Sequence, residues 1–160
     1  MDTAVKIRLD EVARYMRAGT TELDGELRLR TLALLKEAPV EARSVWKLAD
    51  EKLYLCGTIG SKFDAWQRRL SVKSGVDALI AQAIGAAAVE AVMDEVESEA
   101  KAAVGGEWEE RKSPGYGAMP LSESVKIIEI LEATKKIGVA TTVDHLLLPA
   151  KSVTAICRRK

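Results

Sequence analysis

Apolar residues recur at helical spacing along much of the chain, and this pattern predicts several amphipathic helices. The first covers residues 10–17 and ends at Gly19, and the second covers residues 22–37 after a cap at Thr20 or Thr21. The apolar face of the second helix consists of Leu23, Leu27, Thr31, Leu34 and Leu35. A third helix begins with Ser61 as its cap, because Phe63, Trp66 and Leu70 follow at helical spacing.

Shorter segments with strand patterns separate these helices. Residues 44–48 and 52–56 predict a hairpin around a turn at 49–51. Near the end of the chain, residues 139–143 and 152–157 predict two more strands, joined across Pro149. Between the two groups of strands we expect a helix over residues 123–136, capped by Ser122 and ended by Gly138.

The longest predicted helix covers residues 75–104, and its stretch 78–93 is apolar on almost every side. Such a pattern is typical of a buried central helix. The apolar stretch is shorter than the ~20 residues that span a bilayer, so we expect no membrane segment. Together the elements predict an α+β fold, with helices packed around a small, mainly antiparallel sheet. We expect one domain over residues 1–160, in which N-terminal helices and a hairpin (1–73) precede the long helix and the C-terminal elements (74–160).

Composition narrows the possible chemistry. Lys and Arg total 24 and Asp and Glu total 24, so the net charge is zero and a nucleic-acid partner is not expected. Two cysteines and one histidine are too few for a zinc cluster or a disulfide framework, so we expect no metal site and a reducing, cytoplasmic environment. The first residues are polar and do not resemble a signal peptide.

Two charged residues stand out as candidate ligand-binding groups. Glu90 is the only charge between Asp77 and Asp94, and it shares a helix face with Leu79, Ala83 and Ala87. A structural salt bridge or a partly exposed position is the alternative, and periodicity alone favours it. Arg111 precedes a Ser-Pro-Gly-Tyr turn and is suited to hold a carboxylate, although an ordinary loop with a surface arginine is the alternative.

Two other segments predict no chemistry. Residues 57–62 follow a strand and open a helix, but their glycine spacing does not match a phosphate-binding loop. His145 lies in an apolar stretch, and we interpret it as a half-buried structural histidine.

Residues 111–120, with the sequence Arg-Lys-Ser-Pro-Gly-Tyr-Gly-Ala-Met-Pro, resemble the signature of the activation domain of cobalamin-dependent methionine synthase. That family has Arg, any residue, Ala or Ser, then Pro-Gly-Tyr, a variable pair and Pro; in this chain three residues, Gly117, Ala118 and Met119, separate Tyr116 from Pro120. The order of further motifs is similar, with Gly138, Thr142, Pro149 and Ser152 downstream and Glu90 upstream. The chain is identified by this resemblance as a stand-alone member of the family.

The resemblance implies an S-adenosylmethionine site. Arg111 would hold the methionyl carboxylate, the backbone around Ser113 and Pro114 would contact the ligand, Gly115 and Tyr116 would shape the adenosine pocket, and Glu90 would pair with the amino group or a ribose hydroxyl. No residue would act as an acid–base catalyst, because the domain only positions two cofactors.

The resemblance also implies partners. The domain would help to methylate an oxidised cobalamin carried by a separate corrinoid protein or methionine synthase core, with an electron from a flavodoxin-type donor. Ser122 stands where methionine synthase has a histidine. The alternative is therefore a scaffold for a corrinoid protein that no longer binds adenosylmethionine. A methyltransferase for small substrates is a third hypothesis, which the missing Rossmann glycine motif disfavours.

Overall fold

The computed structural model describes residues 6–16, 23 and 25–160. Its elements follow in the order α1 (Leu9–Tyr15), α2 (Gly25–Glu37), β1 (Arg43–Ala49), β2 (Lys52–Thr58), α3 (Ser61–Lys73), α4 (Gly75–Val104), α5 (Glu123–Leu131), α6 (Ala133–Ile137), β3 (Ala140–Thr141), β4 (Leu147–Leu148) and β5 (Ser152–Arg158). The predicted α+β fold is confirmed.

The strands form two small antiparallel sheets. The larger one has the order β1-β2-β5, and the smaller one pairs β3 with β4. Isolated bridges from Trp108 to Arg159 and from Lys112 to Ile156 extend the larger sheet beyond β5. The segment that contains Arg111 therefore runs along one edge of this sheet.

Helices cover both faces of the larger sheet because its strands alternate two sets of apolar side chains. One set, including Leu53, Leu55 and Ala155, packs with Met93 and Val96 of α4. The other set packs with α5 and α6, and its members include Tyr54, Cys56, Ile156, Ile127, Leu131 and Ile137. The N-terminal half of α4 is buried separately, against α1, α2 and α3.

Helix α4 is the central element, as its apolar pattern predicts. By length and composition alone, the whole helix could cross a bilayer. Its mostly apolar stretch of residues 78–93 is shorter than the ~20 residues that a bilayer requires. Its most apolar window is 61% buried inside the domain, which is typical of the core helix of a soluble protein. Ser74 caps α4 by accepting a hydrogen bond from the Asp77 amide, and Arg30 of α2 pairs with the buried Asp77 carboxylate.

Several local predictions were wrong. Ser61 is the first residue of α3 and Ser122 has a helical backbone, and neither side chain caps its helix. The helix predicted over residues 123–136 breaks at Glu132, whose φ of 51° lies in the left-handed region. Gly138 ends α6 as expected.

One of the two predicted C-terminal strands also differs from the prediction, whereas β5 covers the predicted residues 152–157. The strand predicted over residues 139–143 is only two residues long, since its chain turns at Thr142 and pairs with β4, which the sequence pattern did not reveal. The predicted stop at Gly19 and the cap at Thr20 or Thr21 lie outside the described residues.

Candidate functional site

A cleft of about 960 Å³ lies between the C-terminal half of α4 and the chain around β5. Its walls come from five parts of the fold: α4, the loop 110–117, the start of α5 with the residues before it, the hairpin that joins β3 and β4, and the first residues of β5. Five of the six predicted site residues line it, namely Glu90, Arg111, Ser113, Pro114 and Tyr116.

Arg111 lies at one side of this cleft, bonded to three carboxylates of α4. Its Nη2 donates to Glu90 Oε2 over 2.6 Å, and its Nη1 donates to Asp94 Oδ1 over 2.8 Å and to Glu97 Oε2 over 2.6 Å. The carboxylates are spaced four and three residues apart, which places them on one face of the helix. We call Arg111, Glu90, Asp94 and Glu97 the arginine cluster.

The cluster is partly removed from solvent. The Arg111 side chain is 18% exposed and that of Glu97 is 14% exposed, whereas Glu90 and Asp94 face the solvent more openly. Burial alone lowers the pKa of Arg111, but the hydrogen bonds to the three carboxylates outweigh it and raise the pKa above its usual value. The guanidinium is therefore permanently charged.

Glu97 has a second cationic partner. Lys101 Nζ donates to Glu97 Oε1 over 2.5 Å, one helical turn away. Burial raises the pKa of Glu97, but the hydrogen bonds from Lys101 and Arg111 outweigh it, and the net pKa lies below the usual value. The arginine cluster together with Lys101 thus has three carboxylates and two cations, an excess of one negative charge.

Arg111, which lines the cleft, retains hydrogen-bonding capacity beyond its bonds to the three carboxylates. A guanidinium has five N–H donors. Its bonds to described residues use both donors of Nη1 and one of Nη2. The Nε–H and the other Nη2–H remain for a ligand, a pair of donors that suits a carboxylate.

Backbone hydrogen bonds hold the predicted turn after Arg111 together. The Tyr116 amide donates to the Ser113 carbonyl, and the Gly115 amide donates to the Met119 carbonyl. Gly115 has a φ of 90°, which L residues rarely adopt. Gly115 itself does not line the cleft, so its contribution is the shape of the turn.

Pro114 and Tyr116 occupy opposite environments within this turn. Pro114 is buried, while Tyr116 is 77% exposed at the edge of the cleft. An exposed aromatic ring beside a cleft presents a flat apolar face on which a planar ligand can stack. Tyr116 is therefore placed to contact a ligand, and Pro114 is placed to hold the turn.

Glu90 is more exposed than the predicted helix face implied. Its side chain is 44% exposed, and Leu79 on the same face is 52% exposed, so this face of α4 is only partly buried. The bond between Glu90 and Arg111 is the structural salt bridge that was the alternative interpretation. Glu90 also lines the cleft, so its predicted role in ligand binding stays a prediction.

The structure adds cleft residues that sequence reasoning missed. His145 lines the cleft, with a left-handed backbone at φ 63° and a buried Nδ1 that has no hydrogen-bond partner among the described residues. Ser124 and Thr154, which share a 3.2 Å hydroxyl contact, and Ser152 line another wall. Ser152 belongs to the downstream motif order of the family resemblance, but no local motif marks His145, Ser124 or Thr154 as cleft residues, because α5, β5 and the β3–β4 hairpin meet only in the folded chain.

The other candidate chemistry is not supported where the chain is described. No group of three or more His, Cys, Asp or Glu side chains within residues 6–16, 23 and 25–160 is arranged to hold a metal ion. Cys56 and Cys157 are both free and buried.

Comparisons with known proteins bear on the fold. No protein-family model and no curated protein matches the sequence. Among solved structures, the fold is similar to that described as the crystal structure of the MetH reactivation domain bound to AdoHcy, with a TM-score of 0.67 and 13% sequence identity. The similarity covers 94% of this chain and 74% of that one. The chain therefore has the α+β fold of the MetH reactivation domain.

Proposed function

We propose that the chain binds S-adenosylmethionine in the cleft beside the arginine cluster. The observation that carries the proposal is the placement of Arg111, Glu90 and the Ser-Pro-Gly-Tyr turn on one cleft, within the fold of a domain whose solved structure contains AdoHcy. A cleft of about 960 Å³ lies in the range typical of small-molecule sites.

Charge complementarity supports this ligand. Adenosylmethionine has an ammonium and a sulfonium but only one carboxylate, whereas the arginine cluster has an excess of carboxylates. The methionyl carboxylate takes the two remaining donors of Arg111. Glu90 and Asp94 attract the positive groups, and Tyr116 stacks on the adenine.

The proposed role is to orient the ligand rather than to perform acid–base catalysis. A separate corrinoid protein or methionine synthase core accepts the methyl group, and a flavodoxin-type protein supplies the electron that its oxidised corrinoid requires. The open edge of the cleft, with Tyr116, Leu121 and Leu146 exposed, gives such a partner access to the ligand. In this proposal the chain acts in the cytoplasm.

Calorimetric titration of the full chain with adenosylmethionine tests the proposal. The Arg111→Ala variant is expected to bind at least about tenfold more weakly, the scale of a lost charge-assisted pair. Arg69→Ala, which removes an exposed arginine of α3, is the matched control and should bind like the wild type. Equal affinity of Arg111→Ala and the wild type would remove Arg111 from the site.

Arg111→Ala also leaves carboxylates unpaired, so a milder variant is needed. Glu90→Gln keeps the shape of the side chain and removes one negative charge. We expect it to weaken binding of both adenosylmethionine and AdoHcy, because both carry the ammonium group that Glu90 would attract. Unfolding curves of each variant show whether a loss of binding reflects a loss of structure.

A second function is favoured by the internal bonding of Arg111. Its guanidinium is already neutralised by three carboxylates, as in a structural ion pair. In this alternative the chain is a scaffold that docks on a corrinoid protein without binding adenosylmethionine. Binding to a purified corrinoid protein, together with no calorimetric signal for adenosylmethionine, would favour the scaffold.

A further inference from the structure

A second groove, of about 480 Å³, lies on the other side of the loop 112–120 from the cleft. Its floor is apolar and is formed by Tyr54 of β2, Ile156 of β5, and Ile127 and Ile130 of α5. We call it the basic groove, because Lys52, Lys112, Lys126 and Arg158 line it and Glu123 is the one acidic residue among its lining.

The strand register brings three of these cations together. Lys52 is directly opposite Arg158 in the β2–β5 pair, and directly opposite residues share a face of the sheet. Lys112 is opposite Ile156, two positions before Arg158, so it lies on that face as well. Like charges placed directly opposite each other destabilise a sheet.

Carboxylates only partly neutralise this cation group. Lys126 pairs with Glu123 over 3.0 Å, and Lys112 has a loose contact of 3.9 Å with Glu109. Neither Lys52 nor Arg158 has a carboxylate within 4.0 Å among residues 6–16, 23 and 25–160. An anion at this end of the sheet would relieve the repulsion between them.

We propose that the basic groove binds a small organic acid, with an apolar or aromatic body on the isoleucine floor and an anionic group between Lys52 and Arg158. The apolar floor selects against inorganic anions, and the cations select against neutral apolar ligands. The volume of the groove matches a small molecule. The groove shares Lys112, Tyr116 and Gly117 of the intervening loop with the adenosylmethionine cleft, but the isoleucine floor and the Lys52–Arg158 pair belong to the groove alone. The proposal does not depend on the function proposed for the cleft.

The test uses 1-anilinonaphthalene-8-sulfonate as a probe, since it joins an aromatic body to one anionic group. Its titration into the full chain is followed by fluorescence and by amide chemical shifts. We expect the shifts to concentrate at Lys52, Tyr54, Ile127, Ile130 and Ile156. Shifts concentrated at the exposed apolar residues Val72 and Val76, or in the adenosylmethionine cleft, would overturn the proposal.

A pair of double variants separates the groove from general charge attraction. Lys52→Gln with Arg158→Gln is expected to weaken probe binding at least about tenfold. Arg68→Gln with Lys73→Gln removes the same charge at exposed positions beside Val72 and should leave the affinity unchanged. Equal affinities of the two double variants would contradict the proposal.

Competition identifies the anionic group. Octanoate and phenyl phosphate are each titrated against the bound probe, and displacement by one shows whether the groove prefers a carboxylate or a phosphate. Displacement by neither acid would overturn the assignment. Ile130→Ser, which makes the floor more polar while keeping every cation, should weaken octanoate more than phenyl phosphate.

Discussion

Arg111 Nη2 donates a hydrogen bond to Glu90 Oε2 over 2.6 Å and so joins two residues that are 21 positions apart in the chain. The bond ties the residue that precedes the Ser-Pro-Gly-Tyr turn by two positions to the middle of α4. It lies at the cleft, where a zwitterionic ligand would meet a cation and an anion side by side. The Arg111–Glu90 pair therefore holds the loop against α4 and places a cation beside an anion at the proposed site.

The lowered pKa of Glu97 predicts how the stability of the fold depends on pH. Its pKa is lowered in the folded protein, so its ionised form stabilises the fold above the unfolded pKa of about 4.3, and this contribution is lost as the pH falls through the folded pKa. Glu97→Gln is expected to lower the free energy of unfolding near pH 7 by about 1–3 kcal/mol, because charge-assisted hydrogen bonds are lost. It should also reduce the loss of stability on acidification.

Urea denaturation at neutral and acidic pH measures both effects for Glu97. The control is Glu99→Gln, an exposed carboxylate two residues further along α4. It should follow the wild type at each pH. A Glu97→Gln variant with the same acid dependence as the wild type would show that the pair with Arg111 and Lys101 adds no stability.

Gly85 is predicted to be essential for packing between helices. A Cβ at this position would lie 2.7 Å from Phe63 Cε1 and 2.7 Å from Lys151 Cε. The lysine can move, but the fully buried Phe63 ring cannot move without disturbing the core. Gly85→Ala is therefore expected to lower the free energy of unfolding by about 1–3 kcal/mol, despite the higher helix propensity of alanine.

Gly75 is the matched control for Gly85, because it begins the same helix and a Cβ there meets nothing within 4 Å. Gly75→Ala should leave the free energy of unfolding unchanged or raise it by up to about 1 kcal/mol. Thermal and urea unfolding of both variants decide the question. Equal effects of the two substitutions would contradict close packing at Gly85.

Glu132 offers a stabilising substitution. It separates α5 from α6 with a φ of 51°, a conformation that glycine adopts at lower cost. Glu132→Gly is expected to raise the free energy of unfolding by up to about 1 kcal/mol. Glu129→Gly, at an exposed position inside α5, should lower it by a similar amount. A destabilised Glu132→Gly variant would be inconsistent with the left-handed helix break.

The two cysteines are predicted to be unreactive in the folded protein. Burial raises the pKa of Cys56 to about 12, and burial together with the nearby Glu97 raises that of Cys157 to about 11. Both thiols therefore stay protonated near pH 8, and the thiolate is the reactive form. Reaction with a thiol-specific disulfide reagent should be slow in buffer and complete in denaturant. Rapid labelling of either thiol in buffer would contradict their burial.

Much of the fold was predictable because it depends on local patterns. The bounds of α4 match the prediction of residues 75–104, since its apolar stretch is long and Ser74 and Gly105 flank it. The β1–β2 hairpin also lies at the predicted place. The failures are short elements, such as β4 and the break at Glu132, where tertiary contacts rather than periodicity determine the backbone.

The candidate site was predictable only in part. Glu90 and Arg111 stand out in the sequence as an isolated charge on an apolar helix and an arginine beside a glycine turn. Their bond could not be derived from those patterns, nor could the contributions of Asp94 and Glu97. These carboxylates lie in an acidic stretch whose ordinary interpretation is a solvated helix end.

The sequence by itself determined the α+β class, the central helix and the turn after Arg111, because apolar periodicity and glycine or proline placement act within a few residues. Only the tertiary structure decided what surrounds these elements. It brought three carboxylates to Arg111, His145 into the cleft and Lys52 opposite Arg158. The reason is that helix packing and strand register join residues distant in sequence, and no local pattern records which side chains then meet.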